Sequence, residues 1–277
     1  MAAEKGASAP AQGNATDAAK GMAKSLLSGE RKAILLGNAA AHHAKASSLL
    51  ALANWIGAQT GATVGYLTEA ANTVGAQLVG AVPGAGGRNA AQMLDGSLKA
   101  AILLNNEPQY DSAAGAKAAA ALGQAEMVVT LSPFKANLEF SDVLLPIAPF
   151  TETPGTFVNA EGRVQSFHAV VKPLGEARPA WKVLRVLANM LGLPGFAYES
   201  AQEVLVAARG EQDAKATHVQ GAKLSNATRS PIDAGAVAGQ PVTASIYQLD
   251  SIVRRAPSLQ LTADARTAQS AEVGAPA

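Results

Sequence analysis

The chain has 277 residues, with 22 Lys and Arg against 21 Asp and Glu, so its formal net charge is +1. That length suits one large domain, or one domain with extensions, and so balanced a charge makes no electrostatic case for nucleic-acid binding. With no cysteine, this chain builds no disulfide, thiolate zinc site or iron–sulfur cluster, and it contains no apolar run of about 18 residues that would span a bilayer. Aromatic residues are 4% of the total, so the core has to be aliphatic.

In chain order, Met1 to Gly21 is Ala, Gly, Ser, Lys and Asn without apolar period, and it lacks the apolar core of about 7–15 residues that a signal peptide needs. Residues 1–29 therefore read as a disordered or linker segment. Ala33 to Gly37 is a short apolar run, as in a buried parallel strand. Leu49, Leu50, Ala53, Ile56 and Thr60 share one helical face, and Gly61 stops that helix. Further strands are predicted over Ala62–Leu67, Lys99–Leu104, Glu126–Leu131 and Asp142–Ile147. Helices are predicted over Asn72–Leu78, Asn89–Leu94 and Ser112–Leu122. Strands alternating with helices imply an α/β fold, a parallel sheet with helices on both faces, over residues 30–195.

After the Gly155–Gln165 turn, Val164–Val171 reads as a short β excursion. Pro179–Leu191 is an amphipathic helix with Trp181, Leu184, Leu187 and Leu191 on one face. Residues 196–277 read as one helix, Glu199–Arg209, then a largely irregular tail. Gly210–Gln240 has sparse apolar pattern, Thr243–Leu249 reads as a strand, Ser251–Arg255 as a short helix, and Ala263 onward as frayed chain.

Four places carry chemical signals. The loop Gly84-Ala-Gly-Gly-Arg88 resembles a phosphate cradle, but Asn89 stands where the dinucleotide fingerprint needs its last glycine, which favours a plain flexible loop. Gly37 and Asn38 end the first strand, the correct end of a parallel sheet for a ligand. Next come His42 and His43; adjacent histidines diverge on a helix, so helix-start polarity explains them better than a shared metal. His168 and His218 lie far apart without carboxylates at metal spacing, and no Gly-x-Ser-x-Gly elbow occurs. Asn105, Asn106, Glu107 and Pro108 follow the third strand, either as a turn or as a ligand-facing loop.

The densest signal is Thr151-Glu-Thr-Pro-Gly-Thr-Phe-Val-Asn-Ala-Glu-Gly-Arg-Val-Gln165, a polar turn just after a buried strand. Arg163 with Glu152 or Glu161 suits an ion pair, and Asn159 suits a left-handed backbone position. A loop-locking network is at least as good an explanation as catalysis.

This stretch resembles a signature of the molybdopterin oxidoreductases. Glu69-Ala-Ala-Asn-Thr-Val-Gly-Ala76, the Asn105–Pro108 loop and Ser141-Asp-Val-Leu-Leu-Pro146 resemble further family segments in the same order, so the likeness covers roughly residues 31–195. Ile246 to Gln260 resembles the C-terminal end of the large peripheral-arm subunit of bacterial NADH:quinone oxidoreductase (respiratory complex I), which shares that fold. The family's Thr-Glu-Thr after the fourth strand is replaced here by Leu131-Ser-Pro-Phe-Lys-Ala-Asn-Leu-Glu139, and the residues after Gly195 do not read as a pterin-wrapping β domain. The resemblance therefore implies the complex I subunit, with the fold kept and no cofactor or metal bound by this chain. Iron–sulfur clusters are then expected on upstream segments, and the chain is not catalytic on its own. Its implied partners are the other peripheral-arm subunits, including the NADH- and flavin-binding one, with no membrane insertion, on the cytoplasmic side of the bacterial inner membrane. The alternative is part of a formate dehydrogenase-like enzyme holding molybdopterin guanine dinucleotide. In both cases the cleft residues are Gly37, Asn38, Asn72, Asn106, Glu107, Gly155, Thr156, Asn159 and Arg163, relict in the first reading and cofactor-facing in the second.

Overall fold

The computed structural model describes residues 1–237 and 244–267. The helices in order are α1 (Ala2–Lys5), α2 (Asp17–Ser28), α3 (Asn38–Ala41), α4 (Ala46–Thr60), α5 (Thr73–Leu78), α6 (Ala90–Met93), α7 (Pro108–Asp111), α8 (Ala116–Leu122), α9 (Ala180–Met190), α10 (Ala201–Arg209), α11 (Glu211–Lys215), α12 (Ile246–Leu249) and α13 (Pro257–Gln260). The strands are β1 (Ala33–Leu36), β2 (Thr63–Tyr66), β3 (Ala100–Leu104), β4 (Met127–Ser132), β5 (Val143–Pro146), β6 (Gly155–Val158) and β7 (Val164–Phe167). The chain forms two interleaved compact units. Unit 1 takes residues 1–75, 158–164 and 217–243, and unit 2 takes the remainder.

Unit 1 holds β1 and β2 in parallel, Ala33 opposite Thr63 and Leu36 opposite Tyr66. The intervening helix α4 buries Ser48, Ala51, Ala53, Gly57 and Thr60. The expected face was centred on larger side chains, but Leu49, Leu50 and Ile56 are only half-buried. Small residues let the helix backbone come close to the strand: a Cβ on Gly57 would meet Val64 Cγ2 at 2.8 Å. The linker expected at the N-terminus instead contains α1 and α2. Thr16 caps α2 by accepting the Ala19 N–H at 3.2 Å, and alanine-rich composition favours the helix that follows.

Unit 2 holds the parallel sheet β3-β4-β5, with Leu104 opposite Leu131 and Leu131 opposite Leu145. The α/β class with parallel sheets stands as expected, although the parallel strands fall into two separate sheets. Strand β4 is central, so its backbone is paired along both edges, and Val128, Thr130, Leu131 and Ser132 are buried. Burying the Thr130 hydroxyl is offset by a 2.7 Å hydrogen bond to Ser141 Oγ.

Several local expectations change. The predicted Ser112–Leu122 helix starts later, as α8 at Ala116 after Gly115 at φ 54°, and Pro108 begins a separate helix, α7, upstream of it. On α9, Trp181, Leu184 and Leu187 are half-buried and Leu191 is exposed, so the apolar face is narrower than its spacing suggests. The described part of the Thr243–Leu249 strand is helical: Ser245 accepts the Tyr247 N–H at 3.1 Å and starts α12, while Thr243 lies outside the described residues. Helix α11 falls within the predicted irregular stretch Gly210–Gln240, of which 238–240 lie outside the described residues. Within the supposed frayed end, residues 263–267 are helical and Ala265 is fully buried; 268–277 lie outside the described residues. Among the described residues no helix is long and apolar enough to cross a membrane.

Candidate functional site

The polar turn after β5 is a β-hairpin, β6 and β7, rather than a turn throughout. Phe157 and Phe167 meet edge to face across it, with ring centroids 5.1 Å apart. Thr156 Oγ1 bonds Ser166 Oγ at 2.9 Å. Gly155 carries no Cβ where one would lie 2.5 Å from the Phe167 ring.

At the hairpin's tip, within unit 1, Asn159 Oδ1 accepts the N–H of Glu161 at 3.0 Å and of Arg163 at 2.9 Å. Asn159 is not left-handed as expected. Gly162 takes the positive φ, at 82°, which a glycine adopts without Cβ strain. Arg163 is exposed and forms no ion pair with Glu152 or Glu161 among the described residues; Glu152 Oε2 accepts the Leu174 N–H at 3.1 Å instead. The neighbouring backbone is also paired. Val164 N–H donates to the Thr217 carbonyl at 2.8 Å, Val219 N–H to the Gly162 carbonyl at 2.8 Å, and Arg163 bridges His218.

Asn72 joins the same turn from a distance in sequence. Its Oδ1 accepts the N–H of buried Val158 at 2.9 Å. The Asn-x-x-Gly spacing has a steric cause, because a Cβ on Gly75 would lie 2.0 Å from that oxygen. The amide therefore passes over a residue with no side chain.

In unit 2, the loop after β3 is shaped from its own side. Asn105, at φ 49°, donates its N–H to the Leu131 carbonyl at 2.8 Å. Asn137 Nδ2 donates to the Asn106 carbonyl at 2.9 Å. Glu107 is buried and takes a forked bond from Arg255, Nη1 to Oε1 and Nη2 to Oε2, both 2.7 Å, while Arg254 Nη2 adds a third at 2.9 Å. Burial alone would raise the Glu107 carboxyl, but the hydrogen bonds from Arg255 and then Arg254 outweigh it and hold the group below its ordinary range. Burial likewise opposes the charge on Arg254, and its bonds to Glu107 and Asp111 raise its pKa above the usual value.

Asn137, Arg254 and Arg255 were not singled out by sequence reasoning. The available signal was a pair of arginines directly after Ile252-Val253, charge placed in an apolar run. A cavity of about 440 Å³ also lies in unit 2, walled by Met93, Leu98 and Ile102 with Asn106 and Asp111 among its polar lining; its aliphatic wall suits apolar matter better than a dinucleotide.

The other signals have partners of their own. Gly37 and Asn38 lie in unit 1 at the start of the four-residue α3. His42 Nε2 pairs with Glu69 Oε2 at 2.8 Å, whereas His43 Nδ1 accepts the Lys45 N–H at 3.0 Å, so the two rings serve different partners. No group of His, Asp and Glu suited to a metal occurs among the described residues. In the glycine-rich loop, Arg88 bonds Ser97, and Asn89 forms a capping box with Gln92.

The family described as Molybdopterin oxidoreductase matches residues 10–190. Over 67 residues the chain is 43% identical to "Probable oxidoreductase YjgC" of Bacillus subtilis (strain 168). Over 66 residues it is 42% identical to a "Putative formate dehydrogenase" of Staphylococcus aureus (strain bovine RF122 / ET3-1) and 38% identical to another of strain USA300. Each match covers 24% of this chain and 7% of the relative.

Proposed function

The chain belongs to the molybdopterin oxidoreductase family, and on that premise we propose that it is a structural lobe of an oxidoreductase subunit, serving assembly rather than holding the pterin. The carrying observation is that the signature turn spends its own donors. The N–H groups of Val158, Asn159, Glu161, Gly162, Arg163 and Val164 all donate to oxygens of this chain. A dinucleotide's phosphates need such groups free. The donors of this turn are therefore not free to cradle a pterin dinucleotide, and no redox step is assigned to them.

The assembly we propose is the peripheral arm of a proton-translocating NADH:quinone oxidoreductase, with clusters and flavin on other segments and subunits. Its support is the likeness of Ile246–Gln260 to the end of that large subunit. A second reading, part of a formate dehydrogenase-like enzyme with molybdopterin guanine dinucleotide, is favoured by the printed names of the relatives.

Deleting the gene in its source cell separates the two. Loss of NADH:quinone activity with formate oxidation intact supports the first, and the reverse pattern overturns it. The structural role is tested by Asn159→Ala, which removes the acceptor for the Glu161 and Arg163 N–H groups, in the complete complex. Less assembled arm with normal turnover per complex is expected; normal assembly with collapsed turnover would refute it.

A further inference from the structure

The loops after β3 and β4 emerge at the same end of a parallel sheet, the carboxyl end, where open α/β sheets receive their ligands. One segment from far along the chain fills that place. Arg255 bonds both oxygens of Glu107, three residues beyond β3, and its guanidinium lies 4.3 Å over the ring of Phe134, two residues beyond β4. Arg254 bonds Glu107 and Asp111 and lies 4.8 Å over the Tyr110 ring. The Arg254 and Glu107 side chains are 9% and 10% exposed, so this is an interior contact rather than a surface pairing.

The segment is preorganised for that contact. Asp250 Oδ1 accepts the N–H groups of Ile252 and Val253 at 2.9 and 2.8 Å. Gln260 Nε2 ties back to the Tyr247 and Val253 carbonyls at 3.0 and 2.9 Å. Arg254 Nη1 also donates to the Gln248 carbonyl at 2.6 Å, and Arg255 Nη1 to the Ser251 carbonyl at 3.0 Å. Both guanidiniums are aimed by the segment's own backbone before they meet the carboxylate.

We infer that residues 245–261 are a strap that closes the carboxyl-end crevice of the β3-β4-β5 sheet, with Arg254 and Arg255 standing on Glu107 as an internal ligand. The crevice's carboxylate is neutralised by the chain itself, and any ligand for it must first lift the strap. This rests on unit 2 alone and is independent of which oxidoreductase the chain serves.

Trypsin reads the strap directly, because the closed state buries the Arg254 side chain and holds the 32% exposed Arg255 side chain by its guanidinium in the fork to Glu107. In a time course on the intact chain, the Arg254–Arg255 and Arg255–Ala256 bonds are expected to be cut about tenfold or more slowly than the bond after exposed Lys215. Glu107→Gln should bring them to the Lys215 rate while cleavage after half-buried Arg185, inside α9 of the same unit, stays slow. Equal rates at the strap and at Lys215 in the unaltered chain overturn the inference, and so does strap cleavage unchanged by Glu107→Gln. Should that variant unfold, Arg255→Lys decides: it keeps a trypsin site and the charge but loses the fork. Faster strap cleavage then supports the inference, and an unchanged rate refutes it.

Discussion

The contact of Asn72 with Val158 yields a prediction whose sign depends on background. Asn72→Ala removes the acceptor for the N–H of Val158, a residue 3% exposed, and should cost about 1–3 kcal/mol for an unsatisfied buried donor. Gly75→Ala acts on the same bond, because the new Cβ would stand 2.0 Å from Asn72 Oδ1 and drive the amide away. Yet Gly75 lies within α5, where alanine is intrinsically better than glycine by about 1 kcal/mol. In the native background the lost bond outweighs that gain or cancels it. In the Asn72→Ala background there is no bond left to lose, so Gly75→Ala should be neutral or stabilising by up to about 1 kcal/mol. The assay is hydrogen exchange at the Val158 amide with urea midpoints for all four chains. Either single substitution should speed Val158 exchange about 5- to 150-fold, the equivalent of 1–3 kcal/mol. The reasoning is refuted if Gly75→Ala stabilises the native chain, or if the two effects simply add.

Two further outcomes follow from burial and charge. Leu184→Ala on the half-buried side of α9 should cost about 1–2 kcal/mol in denaturant unfolding, below the 2–5 of a fully buried leucine, whereas Leu191→Ala should stay within about 0.5 kcal/mol; equal losses would show that the helix face is misassigned. Glu107 is held below its ordinary range, so between its folded pKa and an unfolded value of about 4.3 the unfolded chain binds more protons. Its contribution is complete above that unfolded value and is lost as pH falls through the folded one. The stability gap between the native chain and Glu107→Gln should hold from pH 7 to about 4.3 and shrink below; a gap that widens on acidification contradicts the ion-pair account.

What the sequence by itself determined is what short-range chemistry encodes. Apolar runs placed β1 to β5 within a residue or two, Asn89 marked the start of α6, and Pro179 and Gly192 bounded α9. The α/β class follows from the alternation of those elements, and the lack of thiolates follows from composition alone. Only the tertiary structure decided what the polar residues do. Gly155–Val158 reads as a turn until β7 is there to pair with it. Asn159 reads as a left-handed residue, but its side chain is an acceptor and Gly162 bends the chain. Glu107 and Arg255 lie 148 residues apart, and neither leaves a local trace of the other. Periodicity records which face of an element leaves water. Which oxygen a buried N–H or guanidinium finds depends on segments brought together by folding, and no local pattern carries that information.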